Sequence, residues 1–165
     1  MTAEEAFLGK ARGSKILLDT NLLLLLLIGS FDRSLITRFK RTSQFTPSDF
    51  DALVELLSAS RQLVTTPHLL TEVSSLANAL PSYLKLEWHQ HLAEQTSRFF
   101  EVFIASETLM KQPAFLALGL ADSAVFAAAA ESLVLTEDYR LAGSLRASGM
   151  TAMSFSDLRA FVENA

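Results

Sequence analysis

Short apolar runs and longer stretches of helical spacing alternate along the chain. Lys15 to Asp19 is a brief apolar run closed by an acid, the pattern of a buried strand. The leucines from Leu22 to Ile28 follow at helical length, with Gly29 as the expected stop. Residues 32–42 predict a short helix with a basic end. Pro47 and Ser48 open a longer helix that sets Phe50, Leu53, Val54 and Leu57 on its apolar face. Leu63 to Thr66 reads as a strand. Thr66-Pro67 then reads as a cap followed by proline at the first helical position, starting a helix to about Asn78. Helical spacing returns over 82–98, and Glu101 to Ile104 reads as a strand. The alanine-rich segment Leu120 to Glu131 predicts a helix, Leu133 to Thr136 a strand, and Tyr139 to Ala147 a helix ending at Gly149. Thr151 to Phe155 supplies the last strand, with Ser156 capping a terminal helix; residues 1–14 are a mixed polar and apolar lead.

Short strands alternating with longer helices predict an α/β domain in three layers, with a central, mostly parallel sheet covered on both faces. In such sheets ligands sit beyond the carboxyl ends of the strands. No repeat, low-complexity block or linker divides the 165 residues, so 1–165 reads as a single domain. Half of the residues are hydrophobic and 19% are charged, a balance that excludes wholesale disorder. With no cysteine, a disulfide scaffold, a thiol nucleophile, a Cys-ligated zinc site and an iron–sulfur cluster are excluded. The longest apolar run, Leu22 to Ile28, is far shorter than the ~20 residues of a membrane span, and Asp19-Thr20-Asn21 interrupts any secretory pattern. The chain reads as soluble and cytoplasmic, with no membrane partner. Its net charge of −4 argues against a general nucleic-acid coat.

Four acids stand where this topology places ligands. Asp19 and Asp138 follow apolar strands, Glu72 lies in the helix after the Leu63 segment, and Asp122 lies at the start of the alanine-rich helix. Each has a local alternative: Asp19, Asp122 and Asp138 as helix caps, Glu72 as a solvated position. Converging on one edge, however, they would repel one another unless protons or cations entered. Oxygen-only ligands suit a hard cation, Mg²⁺ or Mn²⁺.

The residues around these acids resemble the PIN-domain nuclease family. Leu17-Leu18-Asp19-Thr20-Asn21 is similar to its opening motif, and Thr66-Pro67-His68-Leu69-Leu70-Thr71-Glu72 to its second. Leu118-Gly119-Leu120-Ala121-Asp122-Ser123-Ala124 resembles the third, and Val134-Leu135-Thr136-Glu137-Asp138 the fourth. The resemblance runs from about Lys15 to Phe155. It implies a PIN-like fold with Asp19, Glu72, Asp122 and Asp138 as catalytic, metal-binding acids, and Asn21 and Thr136 as supporting polar residues. It also implies an endoribonuclease acting on RNA, toxin-like ribonucleases being among the family's members, with an antitoxin protein and a second copy of the chain as partners. The segment from Phe31 to Arg61 is longer than in compact toxin-type members, and Glu137 adds a second acid beside the fourth position.

Bound Mg²⁺ or Mn²⁺ would activate water near neutral pH and neutralise charge developing on a phosphodiester. Outside the four acids the chain is neutral, so substrate attraction falls to local patches. Arg38, Lys40 and Arg41 are the densest, a candidate nucleic-acid contact or a solvated basic helix end. Phe99 and Phe100 read as packing rather than base-stacking residues, and Trp88 as packing. His68 and Glu72, four apart on one helix, could share a metal, but no second histidine motif makes a zinc site. No glycine-rich phosphate loop or Gly-x-Ser-x-Gly motif is present. The competing readings are a non-catalytic PIN-like module that binds RNA or protein, and a DNA-directed nuclease on the same site.

Overall fold

The computed structural model describes residues 1–164. Helix α1 (Ala3–Ala11) leads into strand β1 (Lys15–Leu18), followed by α2 (Thr20–Phe31), the single turn α3 (Leu35–Arg38) and α4 (Pro47–Ser58). Strand β2 (Gln62–Thr65) precedes α5 (Pro67–Ala77), a 3-10 turn at Ser82–Leu84, α6 (Lys85–Thr96) and the short strand β3 (Phe100–Glu101). Helices α7 (Ser106–Met110), α8 (Pro113–Leu118) and α9 (Leu120–Ala128) fill the way to β4 (Leu133–Thr136), and α10 (Tyr139–Ala147), β5 (Ala152–Ser154) and α11 (Phe155–Glu163) complete the chain.

The five strands form one sheet in the order β3-β2-β1-β4-β5, parallel throughout and flanked by helices, a three-layer α/β/α fold. In the middle strand Leu17 stands opposite Val64 on one side and Val134 on the other. That position explains its composition: with neighbours on both edges and helices on both faces, Ile16, Leu17 and Leu18 have no access to water. The order also creates a switch point. From β1 the chain builds outward to β2 and β3, then returns to β4 on the other side of β1. The crevice of a doubly wound sheet lies at such a point, here beyond the carboxyl ends of β1 and β4.

Helix α2 is buried on nearly every side, with Leu22 to Leu25, Leu27 and Ile28 all sealed from solvent. A helix apolar all round belongs inside a core, and α2 packs against α3, α4, α5 and α6. It does not stop at Gly29. The helix runs on to Phe31, and the missing side chain serves packing instead, because a methyl group at Gly29 would run into the Phe50 ring on α4. Gly29→Ala is expected to destabilise the protein by about 1–3 kcal/mol in urea unfolding, the usual cost of overpacking. Ordinary tolerance of alanine in helices would instead stabilise it by about 0.5–1 kcal/mol.

Several expectations shift by a turn or less. Val54, placed on the apolar face of α4, is 40% exposed, whereas Leu53 is sealed. Ser154 rather than Ser156 caps α11, accepting from the Asp157 N–H. The third strand begins one residue earlier than expected and is only two residues long. Phe99 packs against the core, but Phe100 is 45% exposed and carries the Lys15 ammonium 4.6 Å from its ring centroid. Trp88 is buried edge-on to Phe31, as packing requires. Among the described residues, no helix is long and apolar enough to cross a membrane.

Candidate acidic site at the carboxyl edge of the sheet

Asp19 ends β1 and begins α2 in one residue. Its Oδ1 accepts the Leu22 N–H at 2.9 Å, an ordinary helix cap. Its Oδ2 turns the other way, across the switch point, and accepts the Thr136 hydroxyl and, at 2.9 Å, the Glu137 N–H. The side chain is thus pinned from the first turn of α2 and from the end of β4 at once. Only 5% exposed, it has a carboxyl that burial drives above the ordinary carboxylate range, against the lowering pull of those three donors.

Thr136 is the joint. Fully buried at the end of β4, its hydroxyl donates to Asp19 and accepts the Asp138 N–H at 2.9 Å. Asp138 in turn caps α10, its Oδ1 accepting from the N–H groups of Arg140 (2.8 Å) and Leu141 (3.1 Å). The capping role foreseen as the local alternative for Asp19 and Asp138 is therefore real, and it leaves both carboxylates at the crevice. Thr136→Val keeps the shape but removes the joint, leaving the buried Asp19 carboxylate without its hydroxyl donor. Urea unfolding should show a loss of about 1–3 kcal/mol, the cost of an unsatisfied buried polar group. A loss below about 0.5 kcal/mol, the bottom of the range for one net hydrogen bond, would mean the hydroxyl joins nothing of consequence.

Asp122 does not cap its helix; it lies in the first turn of α9, whose start is set by Gly119. Gly119 has φ of +89°, a backbone region that side chains disfavour, and its carbonyl accepts both the N–H and the hydroxyl of Ser123. That turn brings Asp122 to the other acids. Burial pushes its carboxyl up to about 6, with the charges of Asp138, Asp19 and Glu72 adding to the effect, and no hydrogen bond pulls it back. The four acids therefore share one electrostatic field. Glu72 is exposed on α5, at the rim of that field. Among the described residues, no three histidine, aspartate or glutamate side chains stand together closely enough to hold a metal ion. The donor set is nonetheless all oxygen, and its mutual repulsion is of the kind a hard cation relieves.

Beside the acids opens a polar cleft of about 440 Å³ lined by Asn21, Gln44, Glu137, Asp138, Ser156 and Arg159. Asn21 is exposed in the first turn of α2. Arg159 was not singled out from the sequence. It reaches from α11 to Asp49, a residue 2% exposed on α4, with Nη1 2.5 Å from Oδ1. Arg38, Lys40 and Arg41 are all exposed on the α3 side, where Arg38 bonds the Ser34 carbonyl and hydroxyl and lies 4.0 Å from Asp32. His68 is held by Ser106, its Nε2 2.9 Å from the hydroxyl. Compared with protein-family models, characterised proteins and solved structures, the chain matches none.

Proposed function

We propose that the chain is a divalent-metal-dependent endoribonuclease of the PIN type, with Asp19, Glu72, Asp122 and Asp138 as its acidic centre. The observation that carries this reading is Asp122, whose carboxyl is raised to about 6 by burial and by the charges of the other three acids. Asp19 and Asp138 stand at the switch point of the sheet, and the charges of both, and of Glu72, reach Asp122. Capping alone would need only Asp19 and Asp138. Mg²⁺ or Mn²⁺ would have to draw Asp19, Asp122 and Asp138 closer together than they stand here, with Glu72 at the rim, and when bound it would supply charge neutralisation at the phosphate and activation of water.

This chain's own residues do the positioning. Three hydrogen bonds fix the Asp19 carboxylate, so it stays rigid while a substrate binds. Thr136 ties it to Asp138 across the two strands. Asn21 offers an exposed amide beside the crevice to a phosphate oxygen. An antitoxin and a second copy of the chain are the partners this reading brings with it.

The test is incubation of purified protein with labelled single-stranded RNA and with single-stranded DNA, in Mn²⁺, Mg²⁺ or chelator. RNA cleavage with metal and none in chelator is the expected result. Mn²⁺ or Mg²⁺ should also raise the melting temperature, since a cation bound only by the folded state stabilises it, and Asp19→Asn should remove most of that gain. Cleavage of DNA alone would assign the site to a DNA-directed nuclease. RNA binding without cleavage under every metal would point to a non-catalytic module.

A further inference from the structure

Asp122 is carried by residues 106–128, helices α7 to α9, and two side chains anchor that segment from outside it. Arg140 of α10 donates from Nη2 to the Ala117 carbonyl at 3.0 Å. His68 of α5 lies on the other flank, its Nε2 2.9 Å from the Ser106 hydroxyl. Among the described residues these are the only side-chain hydrogen bonds that leave the segment. The main packing of α9 is on α5, α7 and α8, whereas α10 packs on β4 and β5. The Arg140 bond therefore spans two bodies that otherwise touch little, one bearing Asp122 and the other Asp138.

Local preference does not account for Arg140. A cation in the first turn of a helix faces the positive end of its dipole. Nor does an ion pair, since among the described residues Arg140 forms none. Its guanidinium goes instead to one of the last carbonyls of α8, a group that helix geometry leaves without an internal partner. From there a stiff corner leads to Asp122: the Gly119 N–H donates to the Phe115 carbonyl at 2.9 Å, and the Gly119 carbonyl takes both donors of Ser123. His68 is likewise committed to its anchor. With Nε2 at Ser106 and Nδ1 buried without a partner, neither nitrogen stands open to the metal that its spacing from Glu72 would allow.

We infer that Arg140 is a positioning residue of the acidic site. Through the Ala117 carbonyl it sets the segment bearing Asp122 against the strand end bearing Asp138, and the His68–Ser106 bond is its counterpart on the far flank. Arg140 acts through the backbone it holds and touches no substrate. The inference rests on the nuclease reading for what Asp122 does, but the latch itself does not depend on that reading.

The chain has no cysteine, so spin labels on Gln112→Cys and Ala147→Cys, both exposed, report the distance between the segment and α10 in the full chain without interference. Arg140→Met should broaden that distance distribution. Arg140→Lys should restore it, because only one donor is needed at Ala117. Ser106→Ala, which removes the other anchor, should broaden it further when combined with Arg140→Met. Arg140 is exposed, so neither of its substitutions disturbs the core. In RNA cleavage Arg140→Met should lower kcat about 10–100-fold, the usual cost of losing an orienting group, with KM near its original value. A distribution that stays narrow in Arg140→Met, or that Arg140→Lys fails to restore, would overturn the inference. So would a raised KM with kcat unchanged, which would make Arg140 a substrate contact. Broadening in a chain that cleaves no RNA would remove the nuclease and leave the latch, and cleavage with no broadening would do the reverse.

Discussion

Asp122→Asn should abolish metal-dependent RNA cleavage while making the metal-free protein more stable at neutral pH. An amide has nearly the volume of the carboxylate but none of its charge. Loss of residues that merely orient ligands commonly costs 10–100-fold, so loss of a direct ligand should lower activity at least about a hundredfold. The stability effect has the opposite sign. The ordinary carboxyl value is 3.8, and the folded chain raises Asp122 to about 6. Well below 3.8 the residue is protonated in both states and contributes nothing. As pH rises from 4 to 6 the unfolded chain ionises first, so the folded state loses stability, and above 6 the loss is complete. Melting curves without metal should therefore nearly coincide for wild type and variant at about pH 3. They should separate through pH 6, with the variant melting higher. A variant that melts lower at pH 7 without metal would show that the Asp122 charge is not in conflict with its neighbours.

The largest structural loss is expected from Leu24→Ala. Leu24 lies in α2 with no surface exposed, inside the helix that four others pack against. Truncating such a leucine typically costs about 2–5 kcal/mol, a large share of the 5–15 kcal/mol that holds a domain together. For a chain of this size the melting temperature should fall by roughly 4–20 °C. A fall of only about a degree would mean that α2 can close the void, and that the core is looser than its burial indicates.

The parts of the fold legible from sequence are those where pattern and burial coincide. Strands β1 and β4 each hold three apolar residues, and their pairing beside each other buries the last three residues of both. Proline at the first turn marks α4 and α5 for a local reason that no tertiary contact overrides. Helix α1 was hidden because it buries only Phe7 and Ala11, too few to show a period, although Thr2 and Glu5 spell out its capping box. Helices α7 and α8 were hidden by their shortness. Gly29 misled because a glycine near a helix end usually answers to backbone geometry, whereas this one answers to the Phe50 ring.

In the site, the four acids were legible as residues but not as a network. That Thr136 joins Asp19 to Asp138 depends on strands 117 positions apart lying side by side. Nothing in the spacing reveals it. Glu137 stood out only as an extra acid. Its bond to Ser156, and the arginine that shares its cleft, appear only once α11 is folded back against the end of β4.

The central place of β1 sets the order in which the protein can be made. The most apolar stretch, from Ile16 through α2, leaves the ribosome well before β4, one of the two strands that flank β1. At about 5–20 residues per second, Asp19 waits on the order of ten seconds for Thr136 to be synthesised. Through that interval the nascent chain carries β1 with one edge open, beside the leucine-rich α2. The feature that makes the finished site rigid thus makes the growing chain a natural client for chaperones that shield apolar segments.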